Sequence, residues 1–243
     1  MQSLDSGSPG TIWHVNILMN KFAVVMVTAA GLGSFAVVPS ASAQTTSQAP
    51  LREVRGQTII SNEFPKADLT VGKDFHYVGG QRVNLYGNAD AEQHILVKVG
   101  NDGVVERFYW LQFEHFVPTN TYTYDYHLSG TTDIGGLSFV YDVKSWPNYA
   151  KNNAEDPGSD GEAITRLLAD HNLAFPKRAA RVRMFHLPTQ DHRTELMIIY
   201  GEALPEGSQI PVREGGVVLD KEAPAAARAF LESARRDLTI RMK

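Results

Sequence analysis

Apolar and polar residues alternate along most of the chain, short glycine-rich links separate the alternating runs, and only two stretches carry helical periodicity. These observations predict an α+β fold, a mainly antiparallel, curved β-sheet of about seven to eight strands covered by two helices.

The first 43 residues stand apart from that pattern. Lys21 precedes an apolar run from Phe22 to Val38, and Ser40-Ala41-Ser42-Ala43 follows it, the order of a cleavable secretory signal peptide over residues 19–43. A membrane anchor fits less well, because Gly31, Gly33 and Ser34 dilute a run already short for crossing about 30 Å of hydrocarbon. Residues 1–18 read as a non-native or misassigned extension, with Met19 placed as the start. The mature chain is therefore expected to begin at Gln44 and to be soluble, in a bacterial periplasm or outside the cell. Gly31-Leu-Gly33-Ser-Phe-Ala36 matches a dinucleotide-binding pattern, but Pro39 and a Ser/Ala/Gln/Thr tract follow where the helix should be.

The polar stretch 44–55 reads as a flexible leader, and residues 56–243 as one folded domain. Within it, strands are predicted at Asp74 to Val78 and Gln81 to Tyr86 around a Gly79-Gly80 hairpin turn. A second hairpin joins Gln93 to Val99 with Val104 to Phe116 through Gly100-Asn101-Asp102-Gly103. Further strands are placed at Tyr122 to Tyr126, Leu137 to Lys144, Arg181 to Leu187 and Glu195 to Tyr200. Ser159-Asp-Gly-Glu162 has capping-box spacing and opens a helix over about 160–173, with Ile164, Leu167, Leu168 and His171 on one face. The second helix covers about 223–238, Pro224 falling in its first turn and Ala227, Phe230, Leu231, Ala234 and Leu238 forming the apolar stripe.

Composition narrows the chemistry. A net charge of −4 without a basic cluster argues against nucleic acid and anionic membranes as partners. No cysteine is present, which removes disulfides, thiolate chemistry and a lipoprotein attachment point. Neither a cofactor motif nor metal-ligand spacing is found, so no cofactor and no metal are expected. Asp191-His192 lacks a nucleophile elbow and lies in a polar loop, and the acidic run Glu155 to Glu162 has Gly158 and Leu167 where a calcium loop needs oxygen ligands. The chain is expected to be a monomer or weak dimer.

The predicted strand Val104 to Phe116 is mixed on both sides, with Phe108, Trp110, Gln112, Glu114 and Phe116 on one and Arg107, Tyr109, Leu111, Phe113 and His115 on the other. A strand apolar on both faces is covered on both, and polar groups among large aromatics resemble a ligand pocket. Tyr109, Trp110, Gln112, Glu114 and His115 are the candidate ligand-binding residues, joined by His186 from a neighbouring strand and by Tyr122 and Tyr124, which share a side with Tyr126. The reading that follows is an exported binding or accessory protein, its partner an unknown small molecule or an envelope protein. Two alternatives stand beside it: an enzyme using Glu114 with His115 or His186 as acid and base, and a structural envelope protein acting through a sheet edge or its tyrosine face.

Overall fold

A computed structural model describes residues 47–128 and 130–243, so the signal segment, the residues upstream of it and the glycine pattern inside it lie outside the described residues. The elements run β1 (Glu53–Arg55), β2 (Thr58–Ser61), β3 (Ala67–Val71), β4 (His76–Leu85), β5 (Ala89–Val99), β6 (Val105–Phe116), β7 (Gly130–Ile134), β8 (Leu137–Trp146), α1 (Tyr149–Ala154), α2 (Asp160–Asp170), β9 (Ala179–His186), β10 (Thr194–Ala203), β11 (Val217–Val218), α3 (Leu219–Glu222), α4 (Pro224–Arg236) and β12 (Leu238–Met242).

The fold is α+β and its strand pairing within both sheets is antiparallel. An open eight-stranded sheet has the order β11-β8-β9-β10-β6-β5-β4, with β7 also on β8. A second sheet, β1-β2-β3-β12, was not anticipated. Its strands are three to five residues long, too short to show a period against the turns around them.

The large sheet is covered on both faces. One face packs Tyr109, Leu111, Val182 and Ile198 against Leu69 and Ile240 of the small sheet and Ala227, Leu231 and Ala234 of α4. The other packs Phe108, Trp110, Phe185 and Ile199 against Tyr149 of α1 and Ile164 and Leu168 of α2. We call these the α4 face and the α2 face. The doubly covered strand that the sequence predicts is therefore β6, inside the sheet between β10 and β5.

Several local expectations change. Gly79-Gly80 makes no turn: β4 runs straight through it with a register shift between Tyr77 and Gly79. A Cβ on Gly80 would lie 2.7 Å from the Tyr77 hydroxyl and 2.8 Å from His94 Nδ1, so the glycine keeps space for two side chains that hydrogen-bond to each other. The turn falls instead at Tyr86 and Gly87, both at positive φ. Tyr122 to Tyr126 is not a strand; both edges of β6 are already paired, with β5 and β10, so the segment crosses the α2 face, held by side chains and by a backbone bond from Tyr124 N to the His192 carbonyl at 2.8 Å. The hairpin at Gly100 to Gly103 and the loop from Thr189 to Arg193 lie where the pattern puts them.

α2 begins as predicted, Ser159 Oγ accepting from Glu162 N at 3.0 Å, but the Glu162 carboxylate reaches Gly158 N rather than Ser159 N. The helix stops at Asp170 because Asn172 turns to φ +58°, which leaves His171 exposed beyond the buried stripe. The leader is not free either, at least from residue 47. Gln48 and Arg82 exchange backbone hydrogen bonds at 3.0 and 2.8 Å, and Arg52 is tied to Glu92.

Candidate functional site

The predicted site residues divide between the two faces of the sheet. Gln112, Glu114 and Tyr124 come together on the α2 face. His115 and His186 project from the α4 face and do not join them: His115 is exposed, 3.8 Å from Asp90, while His186 Nδ1 meets the Ser138 carbonyl at 2.9 Å and its ring lies beside Phe139. Tyr109 is core, its hydroxyl donating to the Ala234 carbonyl at 2.7 Å. Trp110 is core as well, 1 % exposed. Tyr122 remains at the surface, 42 % exposed.

Register builds the polar layer of the α2 face. Gln81, Gln93 and Gln112 are direct neighbours on β4, β5 and β6, and their amides join in a row, Gln81 Nε2 to Gln93 Oε1 and Gln93 Nε2 to Gln112 Oε1, each 2.9 Å. The same Gln81 and Gln93 amides donate to carbonyls of Ala163 and Asp160, fastening α2 to the sheet. The row ends at Glu114, which accepts from Gln112 Nε2 and the Tyr124 hydroxyl, both at 2.6 Å.

Glu195 of β10, which the sequence reading missed, is directly opposite Glu114 and 2 % exposed. The Tyr126 hydroxyl donates to it. Burial pushes Glu114 up to about 7 against the pull of the Tyr124 hydrogen bond. Burial, reinforced by Glu114, holds Glu195 well above the usual carboxylate range. Tyr124 and Tyr126 stack on each other, and Phe116 and Phe185 extend the stack at 4.3 and 4.0 Å. Farther along the face Asp142 accepts from Arg183 at 2.9 Å; burial works to raise this carboxyl, and the Arg183 and Arg181 guanidiniums outweigh it.

An open depression of about 580 Å³ lies on the α4 face, between the leader, the β2–β3 turn and the ends of β4, β5 and β6. Phe113 forms its floor, with the Arg52 guanidinium 3.6 Å from the ring centroid. Leu51 and Phe64 flank it, 74 % and 54 % exposed. Glu63, Arg82, Asp90 and His115 stand around the opening. Glu114 borders it through its strand, its carboxylate being engaged on the opposite face.

Beside the floor a chain of polar groups runs from Arg52 through Glu92 to His94 and Tyr77. Arg52 Nη1 meets Glu92 at 3.0 Å, Glu92 meets His94 Nε2 at 2.9 Å, and His94 Nδ1 meets the Tyr77 hydroxyl at 3.0 Å. For Glu92 the desolvation of burial is outweighed by the hydrogen bonds of His94 and Arg52, so its pKa falls to about 2. Burial and Glu92 push Tyr77 up to about 12, so the hydroxyl at the end of this chain is not an activated nucleophile. It acts as an internal brace. A weak sign of it is legible beforehand, Glu92 and His94 being polar residues at alternate positions of a strand otherwise fit for a core. Among the described residues no group of three or more His, Asp or Glu side chains is placed to hold a metal ion, and no helix is long and apolar enough to cross a membrane.

Comparison with known protein families, with curated proteins and with solved structures returns no match. The class the molecule defines is thus the one its own geometry describes: a two-sheet α+β protein with a polar layer on one face and an open, aromatic-floored depression on the other.

Proposed function

We propose that this chain is an exported binding protein that holds a small molecule in the depression above Phe113. One observation carries the reading: an opening of about 580 Å³ brings two well-exposed apolar side chains, Leu51 and Phe64, beside an aromatic floor and charged groups. Pockets for small ligands combine those features, apolar surface for affinity and a few polar groups for orientation. Large apolar side chains gathered around one concavity are also costly to leave in water unless something covers them.

Catalysis by Glu114 is less well supported, because Tyr124 and Tyr126 occupy the two carboxyls and neither His115 nor His186 reaches them. A tyrosine platform for protein contact is weakened for the same reason, two of its three rings being turned inward.

The test is a thermal-shift screen with ring-bearing fragments on the wild type and on Leu51→Ser/Phe64→Ser. Some fragments are expected to raise the wild-type Tm and to leave the double variant unmoved, while the ligand-free Tm of the two proteins stays similar because both side chains are exposed. A wild type indifferent to every fragment, or a double variant that responds equally, refutes the proposal. Export is tested separately: N-terminal sequencing of secreted protein should find Gln44, and an intact Met19 would overturn the signal reading.

A further inference from the structure

Three cations, Lys144, Arg181 and Arg183, share the α2 face of β8 and β9 with Asp142. In the β8–β9 register Lys144 is opposite Arg181, and Asp142 is opposite Arg183. Asp142 accepts from Arg183 at 2.9 Å and stands 3.5 Å from Lys144 Nζ, so two of the three already draw on it. Two further acids face the group. Burial and Glu114 favour the protonated form of Glu195. Burial raises Asp160 as well, and its Oδ1 is taken by Gly161 N at 2.7 Å. With both Asp142 and Asp160 ionised, one of the three positive charges still has no counter-charge.

Arg181 is the cation left over. It makes no ion pair among the described residues; its guanidinium lies over Trp146, 4.5 Å from the ring centroid, and its buried Nε has no hydrogen-bond partner. The neighbouring Tyr149 hydroxyl, on a residue 1 % exposed, has none either. A bond between the two would use the hydroxyl oxygen and leave the Nε–H and the phenol proton unmatched, so what is missing in both cases is an acceptor. Burial and Arg183 hold Arg181 below the usual guanidinium range, the direction of a cation short of negative charge.

We infer that Arg181, Tyr149 and Lys144 form a second binding site, for a small oxyanion such as phosphate or a carboxylate group. An oxyanion brings acceptor oxygens for the planar guanidinium and the hydroxyl, and negative charge for the surplus. Water would bring the oxygens alone. Lys144, its side chain 26 % exposed, opens the site to solvent. The site is on the face opposite the depression and does not depend on it.

The experiment titrates phosphate and acetate, each against sodium chloride of equal ionic strength, into the wild type, Arg181→Lys, Tyr149→Phe and Lys144→Gln, following the Trp146 indole N–H by NMR. At least one oxyanion is expected to shift that resonance saturably where chloride does not. Arg181→Lys, which keeps the charge and loses the fork, should weaken binding at least about tenfold, and Lys144→Gln and Tyr149→Phe should weaken it too. Tyr149→Phe should leave Tm unharmed, since it removes a buried hydroxyl that has no partner. A response to phosphate alone identifies a phosphoryl ligand, and to acetate alone a carboxylate. No saturable shift, a chloride response equal to theirs, or wild-type affinity in Arg181→Lys overturns the inference. Should Arg181→Lys fail to fold, unchanged affinity in both other variants overturns it. Resonances near Phe113 report separately on the depression.

Discussion

Glu114 and Glu195 place two carboxyls directly across a strand pair, where burial penalises ionisation, the Asp160 charge adding to this for Glu114 and the Glu114 charge for Glu195. Glu114 therefore holds its proton to about pH 7 in the folded chain, against an ordinary value of 4.5. Because the folded pKa is the higher one, its stabilising contribution is complete below pH 4.5 and is lost as the pH rises towards 7. Tm is expected to fall between pH 5 and pH 8, and Glu114→Gln to flatten that fall without harming the fold at pH 8. Circular-dichroism melts at the two pH values decide it; a variant as steep as the wild type would refute the assignment. Glu92 acts in the opposite sense. Its folded pKa, near 2, is depressed, so its contribution is present above pH 4.5 and is lost as acid is added. Glu92→Gln should remove this acid limb and, by leaving a mostly buried Arg52 without its counter-charge, cost about 3 kcal/mol at pH 7 in urea unfolding.

Elements here are held by side chains placed where adjacent strands meet. Gly201 on β10 lies opposite Phe108 of β6, whose ring occupies the space a side chain would take: a Cβ would be 2.2 Å from it. Gly201→Ala is expected to destabilise by about 1–3 kcal/mol through overpacking, and Trp110→Ala by about 3–5 kcal/mol through the cavity it leaves. Ser159→Ala should cost about 1 kcal/mol by removing the first-turn hydrogen bond of α2. Equilibrium unfolding of the three variants checks the order. A Gly201→Ala protein as stable as the wild type would mean that Phe108 has another rotamer available.

At the scale of the molecule, the leader joins the two sheets. Residue 48 pairs with β4 of the large sheet, Arg52 reaches Glu92 on β5, and the chain then enters β1 of the small sheet. It also forms one wall of the depression. A chain beginning at Gly56 should therefore be less stable than one beginning at Ser47, and should lose any ligand response that the longer chain has. Urea midpoints of the two proteins measure the first effect. Equal midpoints would show that the leader is a passive cover.

By itself the sequence determined the fold class, the two long helices, the hairpin at Gly100 to Gly103 and the double covering of β6, because each depends on local periodicity or on capping chemistry within a few residues. It also pointed to Gln112 and Glu114, since polar groups on an otherwise apolar strand need partners, and to Tyr124 only as one of three alternating tyrosines. Tertiary structure alone decided what those partners are. Glu195 faces Glu114 only through the β6–β10 register, Gly80 is required because Tyr77, His94 and the Gln93 carbonyl meet above it, and the tyrosine segment leaves the sheet where both edges of β6 are filled. His115 was assigned to the same constellation as Glu114, yet consecutive residues of a strand point to opposite faces, and with both faces covered nothing local says which face carries the site. The depression lies farther still from the reach of sequence: its walls come from residues near 50, 64 and 113, and only the packing of one sheet against the other brings them together.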